Sequence, residues 1–411
     1  MRHGCSVEAL CPPGHPLRQV RGVRRCHLYS RVNSLRALQR TIAATRPQVV
    51  IPCDDGVVWQ LHRLYEQQPE LRDLIARSLG AAAHFEVVDS RERLLEVAQE
   101  LQIRVPRTRR AQSVDDLHEW FEHIENTVVL KQDGTWGGNG VRVVRSITEA
   151  ANELTHMLRP TPWTVACKRL VIDRDPLALW SKRQQNPVVT VQEFIKGRPA
   201  NLMMACWKGQ VLGAVMVEVV WSQGTTGAAM VVRLIDRCEI ARAACKLAKR
   251  LELSGFHGLD FILEAESGAA YLIEMNPRCT QLGHLPISGL GDLAGLLCRK
   301  LSVASPTETG PICPVGLTTG ETIAFFPKAY SGNPANAYLG EGYQDLPLED
   351  QALMRELLKQ EWPDRQWLAR LYHWIRPRMV QAPAAFDEIR SYDRVRSLIG
   401  ADGAKRPQQH V

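Results

Sequence analysis

The chain has no run approaching the roughly 18 uncharged apolar residues that a membrane-crossing helix needs, so no membrane partner is expected. Its first stretch, "MRHGCSVEALCPPGHP", has no apolar core ahead of a small-residue cleavage site, which argues against a secretory leader. The 11 cysteines include no Cys-x-x-Cys pair, and their odd number and irregular spacing suggest neither a disulfide framework nor a zinc site. These absences together lead us to expect a reducing, cytoplasmic setting. Acids are nearly missing from residues 1–40, where eight arginines (Arg2, Arg18, Arg21, Arg24, Arg25, Arg31, Arg36, Arg40) face only Glu8. Such a segment is either a solvated basic surface or a contact for an anionic substrate, RNA or a partner protein.

At 411 residues the chain is too long for a single core and implies two or three domains. With 45% hydrophobic and 23% charged residues, its composition is that of a globular protein. "CSVEALCP" reads as a strand, "SLRALQRTIAAT" as a helix and "PQVVIPCDDG" as a short buried strand running into the helix "VVWQLHRLYEQ". Residues 1–88 therefore suggest an α/β domain whose first strand arrives within ten residues of Met1, as though its usual opening were trimmed. Asp54 or Asp55 suits the helix N-cap, with a substrate contact as the alternative.

Further along, "RERLLEVAQELQI" is an amphipathic helix with Ser90 as its N-cap, and "SVDDLHEWFEHI" is another with Ser113 at its start. "ITEAANELTHML", "EIARAACKLAKRLEL", "GLGDLAGLLCRKL", "EDQALMRELLKQ" and "RQWLARLYHWI" read as helices. "ANLMMACWKGQVLGAVMVEVVW" alternates and turns at Lys208-Gly209, which marks a hairpin, and "GFHGLDFILEAESGAAYLIEMNPR" marks a second.

Two constellations carry chemistry. In "VLKQDGTWGGNGVRVV" a glycine-rich loop joins two strands, so it is neither a P-loop nor a dinucleotide fingerprint, both of which run into a helix. Lacking Cβ atoms, Gly134, Gly137, Gly138 and Gly140 allow backbone N–H groups to converge on an anion, with Lys131 as a point charge. A plain hairpin with a surface lysine is the alternative. In the second hairpin, Glu274 and Asn276 are two apart and share a strand face. A turn near Ser267-Gly268 sets Asp260 opposite Glu274. Two adjacent carboxylates repel unless a cation joins them, and an all-oxygen set suits Mg²⁺ or Mn²⁺. Solvated or arginine-paired acids on a half-exposed sheet are the alternative.

The order and spacing of "LKQDGTWGGNGV", "VVTVQEFIKG" and "GLDFIL…YLIEMNPR" resemble the ATP-grasp ligases, over roughly Asp89 to Leu301. The resemblance implies an α+β fold: an N-terminal α/β domain (1–88), two subdomains clamping ATP (89–190 and 191–304) and a C-terminal helical region (305–411). It further implies that Lys131 and the loop Gly134 to Gly140 hold ATP phosphates, that Glu193, Phe194 and Ile195 hold adenine, and that Asp260, Glu274 and Asn276 bind magnesium. Arg278 is implied beside the transferring phosphoryl group, and Arg91 stands where the family usually has a phosphate-binding lysine. The stretch Pro160 to Pro187 is longer than the family core needs and suits a lid or substrate loop.

The implied reaction activates a small-molecule carboxylate as an acyl phosphate, releases ADP and passes the acyl group to an amine or related nucleophile. No covalent protein nucleophile is required, so Cys53 and Cys279 are expected to be buried apolar residues. His257 is expected to be structural, whereas His284, just beyond Arg278, is the better substrate-facing candidate. Alternatives are a non-catalytic ATP-binding or RNA-associated protein, against which the full metal set argues, and a bicarbonate-activating enzyme forming carboxyphosphate. No biotin attachment motif or second ATP-grasp copy is present. No nucleic-acid partner is expected, and a homodimer is allowed.

Overall fold

The structure is a computed structural model that describes residues 3–30, 33–121, 127–133, 140–160, 162–172, 187–223, 227–289, 291–302, 316–330, 338–339, 342–359 and 365. Helices and sheets mix in an α+β arrangement. Among the described residues no helix is long and apolar enough to cross a membrane.

The first block pairs β1 (Val7–Cys11) in parallel with β2 (Val23–Leu28) and adds α1 (Ser34–Thr45), α2 (Asp55–Gln67), α3 (Arg72–Leu79) and α4 (Phe85–Asp89). Leu38, Ile42, Val58, Leu61, Leu64 and Ile75 bury the facing sides of these helices in one cluster. A polar chain runs through it: the Tyr29 hydroxyl donates to Gln60 (2.8 Å), whose amide donates to Ser34 Oγ (2.7 Å). The strand expected in "PQVVIPCDDG" does not form. A strand needs a ladder partner, and the sheet here stops at two strands. The Val50 N–H instead donates to Ser78 Oγ, and the Pro52 carbonyl accepts from the Cys279 N–H.

Four strands, β3 (Thr108–Ala111), β4 (Val128–Gln132), β5 (Val141–Val144) and β6 (Val189–Glu193), make a sheet in the order β3-β6-β4-β5. α6 (Val114–Phe121) and α7 (Ile147–Met157) cover one face of it through Leu117, Ala150 and Leu154. α5 (Arg91–Glu100) precedes this sheet, with Ser90 Oγ accepting from the Arg93 N–H as expected. Its apolar side, however, packs through Leu94, Leu95 and Ala98 into the core of the larger sheet. The proline-rich stretch after residue 160 contains a helix, α8 (Trp163–Val171).

The larger sheet has seven strands in the order β11-β10-β7-β8-β9-β12-β13. These are β7 (Gly197–Trp207), β8 (Gln210–Ser222), β9 (Ala229–Leu234), β10 (Gly255–Glu264), β11 (Ala270–Asn276), β12 (Thr322–Phe325) and β13 (Tyr343–Asp345). The β7–β8 hairpin turns at Lys208 (φ 48°) and Gly209 (φ 81°), the paired left-handed geometry of a two-residue hairpin loop. One face of the sheet buries Ala200, Leu202 and Met204 under helix Cys238–Arg250, and the other buries Met203, Ala205 and Val215 under helix Leu293–Leu301. β12 and β13 lie in the stretch expected to be helical, of which helix Gln351–Leu357 is described while "RQWLARLYHWI" lies outside the described residues.

Cys5 and Cys298 are paired as a disulfide, a single long-range link in a chain whose spacing suggested no disulfide framework. The two are 293 residues apart in sequence, so no local spacing could reveal them.

Candidate active site between the two sheets

The second hairpin forms in the expected register, with Asp260 opposite Glu274 and Gly258 opposite Asn276. A bulge between Asp260 and Phe261 leaves Ile273 without a partner on β10. It reverses the alternation, so Leu272 packs in the core beside Phe261 while Glu274 and Asn276 stand with Asp260. On the other side of β10, Asn201 of β7 pairs with Asp260. Asn201, Asp260 and Glu274 thus form one row across three strands.

Both Asp260 oxygens are occupied: Oδ1 accepts from the Asn201 amide at 2.6 Å and Oδ2 from the Asn276 amide at 3.0 Å. Burial, reinforced by the charge of Glu274, pushes the Asp260 carboxyl up to about 6 against the opposing effect of those two amides. Glu274 goes the other way. Its burial would raise it, but Arg91 and Lys131 together hold its carboxyl below the ordinary range.

Lys131 lies on β4, as expected, and is almost entirely buried. Burial, and then the nearby Arg91 charge, bring its ammonium down to about 8, while Glu274, Asp260 and Asp133 favour its charged form. Arg91, at the first position of α5, donates from Nη2 to Glu274 Oε1 at 2.9 Å and from Nη1 to Asp133 at 2.5 Å. Its Nε is buried with no acceptor among the described residues. Burial would lower Arg91, but the two carboxylates outweigh it and raise its pKa.

Arg278 leaves the end of β11 and meets the first block. Its Nε lies 2.9 Å from Asp55 Oδ1, and its Nη2 donates to Asn276 Oδ1 at 3.3 Å. Asp54 Oδ1 caps α2 by accepting from the Gly56 N–H at 2.8 Å, so of the two aspartates it is Asp54 that is the cap, while Asp55 pairs with Arg278.

Glu193 closes β6, where its carboxylate accepts from the Arg107 N–H at 3.1 Å; Phe194 beyond it is exposed. Ile195 follows in the connection to β7. Gly140 sits at the foot of the glycine hairpin, its carbonyl accepting from the Gln132 N–H at 2.8 Å. Gly134, Gly137 and Gly138 lie outside the described residues.

Several expectations change. Cys53 is exposed instead of buried, and burial pushes the half-buried Cys279 thiol up to about 12, which leaves it protonated and unreactive. His284 binds Asp345 at 2.8 Å, so its ring is tied to β13. His257 is structural as expected: its Nε2 bonds the Ser254 carbonyl at 2.8 Å, and burial brings it down to about 4. Asn201 was not singled out by sequence. The one available signal was a polar residue in an otherwise apolar strand, "NLMMAC".

Among the described residues no three His, Cys, Asp or Glu side chains cluster as a metal cage. Two carboxylates and an amide are instead the sparse oxygen set with which Mg²⁺ binds when phosphates complete its shell.

Residues 91–281 match the family model of the ATP-grasp domain. Among solved structures, the biotin carboxylase domain of 2-oxoglutarate carboxylase from Hydrogenobacter thermophilus is similar, with a TM-score of 0.54 and 16% identity over 78% of this chain and 68% of that one. An L-amino acid ligase from Bacillus licheniformis has a TM-score of 0.51 and 13% identity over 78% of this chain and 79% of that one. Carboxyaminoimidazole ribonucleotide synthase from Aspergillus clavatus, complexed with ATP, has a TM-score of 0.50 and 16% identity over 77% and 74%. At these identities the likeness is one of fold. No curated protein matches.

Proposed function

We propose that the protein is an ATP-dependent ligase that activates a substrate carboxylate as an acyl phosphate, releases ADP and transfers the acyl group to an amine. The observation that carries this reading is the meeting of Lys131 and Arg91 with the row Asn201, Asp260 and Glu274. Phosphoryl transfer spreads negative charge over oxygens, and its catalysis is chiefly positioning and charge neutralisation. Lys131 supplies a buried positive charge for the ATP phosphates. Arg278, held between Asp55 and Asn276, is placed to stabilise the transferring group.

Asp260, Glu274 and the Asn276 amide oxygen would hold Mg²⁺ or Mn²⁺. That ion would neutralise phosphate charge and draw electron density from the transferring phosphorus. The glycines Gly134, Gly137, Gly138 and Gly140 would cover the phosphates, and the Glu193, Phe194 and Ile195 connection would hold adenine. A flat, exposed Phe194 beside free solvent suits an aromatic base.

The fold is shared by carboxylases and by an amino-acid ligase, so it does not choose the carboxylate. The test is ADP release with Mg²⁺ against amino acids, small carboxylates and bicarbonate, alone and in pairs. ADP release that needs a carboxylate and an amine together supports the reading. Release driven by bicarbonate alone would replace it with carboxyphosphate formation, and the absence of ATP binding by calorimetry would overturn it.

A further inference from the structure

Arg91 occupies the first turn of α5, where the helix dipole favours acids over cations, so its place is not explained by helix stability. Only 8% of its side chain is exposed, and its two Nη groups are bound to carboxylates from opposite sheets. Asp133 follows β4 of the four-stranded sheet at the foot of the glycine hairpin, and Glu274 lies on β11 of the seven-stranded sheet. The third donor, Nε–H, is buried and has no acceptor among the described residues.

We propose that Arg91 is the resident cation of the site: it holds Glu274 against divalent ions until nucleotide phosphate takes over its guanidinium, so that nucleotide enters before the ion bound by Glu274. This rests on reading Asp260, Glu274 and Asn276 as the cation site. Two neighbouring carboxylates need a positive charge between or beside them. In this structure the Arg91 guanidinium supplies it, occupying Glu274 Oε1. A guanidinium is a fork whose Nε and Nη donors match phosphate oxygens two at a time. A phosphate would therefore satisfy the orphan Nε–H and draw one Nη away from a carboxylate. The exchange conserves charge pairing at each stage. A lysine ammonium carries its three donors on one nitrogen and lacks the planar fork that meets two phosphate oxygens at once.

The test uses the full chain and two ligands separately, Mn²⁺ followed by electron paramagnetic resonance and metal-free ADP followed by calorimetry, with thermal melts confirming that each variant is folded. Arg91→Gln is expected to bind Mn²⁺ without nucleotide about tenfold or more tightly than the parent, because removing a buried pairing charge frees its partner. The same variant should bind ADP about tenfold more weakly. Arg91→Lys, keeping the charge without the fork, should fall between the two. Equal Mn²⁺ affinity in Arg91→Gln and the parent, while Glu274→Gln still weakens Mn²⁺ binding in the presence of ADP, overturns the resident-cation role and leaves the metal site standing. A gain in Mn²⁺ affinity that survives in the double variant Arg91→Gln, Glu274→Gln overturns the metal site itself, and with it the proposal.

Discussion

The two sheets that meet at the site differ in what they bring to it. The four-stranded sheet contributes a buried cation, Lys131, lowered to about 8 chiefly by that burial and interacting by charge with Arg91, Glu274, Asp260 and Asp133. The seven-stranded sheet contributes two acids and two amides, with Asn201 and Asn276 both hydrogen-bonded to Asp260. One side therefore acts through its charge and the other through directed bonds. Altering the cation leaves the hydrogen bonds of the row in place, whereas altering a member of the row releases its partner.

The sharpest way to break the comparison is on the side of the row. Glu274→Gln keeps shape and removes charge, and we expect ATP turnover to fall by about a hundredfold or more, measured as ADP release with an unchanged thermal melt. Residual turnover near the parent rate would remove Glu274 from the cation site. On the cation side, Lys131→Ala should weaken ATP binding by about tenfold to a hundredfold by calorimetry. Equal ATP affinity would strip Lys131 of its phosphate role.

Asn201→Ala leaves one Asp260 oxygen without its amide, and we expect turnover to drop by about tenfold, as for other residues that orient a ligand without touching the metal. An unchanged rate would show that the row across β7, β10 and β11 is incidental. Above neutrality, pH probes the buried cation. Lys131 is charged below about 8 and loses its proton as pH rises through that value, so ATP affinity should decline above pH 8. In Lys131→Arg, which stays charged, that decline should vanish. The smallest effect belongs to the contact with the first block. Asp55→Asn loosens Arg278, and a few-fold loss in kcat with little change in KM for ATP is expected. A change in KM alone would place Asp55 in nucleotide binding instead of in holding Arg278.

How far the site could be read from sequence follows from how local each contact is. The turn near Gly268 and the antiparallel pairing of β10 with β11 are legible in the sequence, whereas the bulge that brings Glu274 instead of Ile273 opposite Asp260 is not. The site position of Asn201 depends on β7 lying beside β10, an order that no spacing reveals. The contact of Arg91 with Glu274 spans 183 residues, and the partner of Arg278 lies in the first block, outside the matched segment 91–281. The strands that escaped prediction are short or arginine-bearing, such as "VRRCHL" and "TRRA", whose alternation is too weak to stand out. "PQVVIPCDDG" misled in the opposite sense, having strand composition without a neighbour to pair with.

The bulge at Ile273 makes the hairpin tolerant of change at that one position. Any apolar residue of similar size at 273 leaves the frame intact, and removing that residue would join Leu272 to Glu274 in an unbroken ladder, with Leu272 still inward and Glu274 still opposite Asp260. Natural variation in this hairpin should therefore be rich in exchanges at 273, and a single-residue loss should fall there and not elsewhere in β11. The inward and outward order of β11 on either side of the bulge, as much as the identity of its acid and amide, is what inheritance has to preserve.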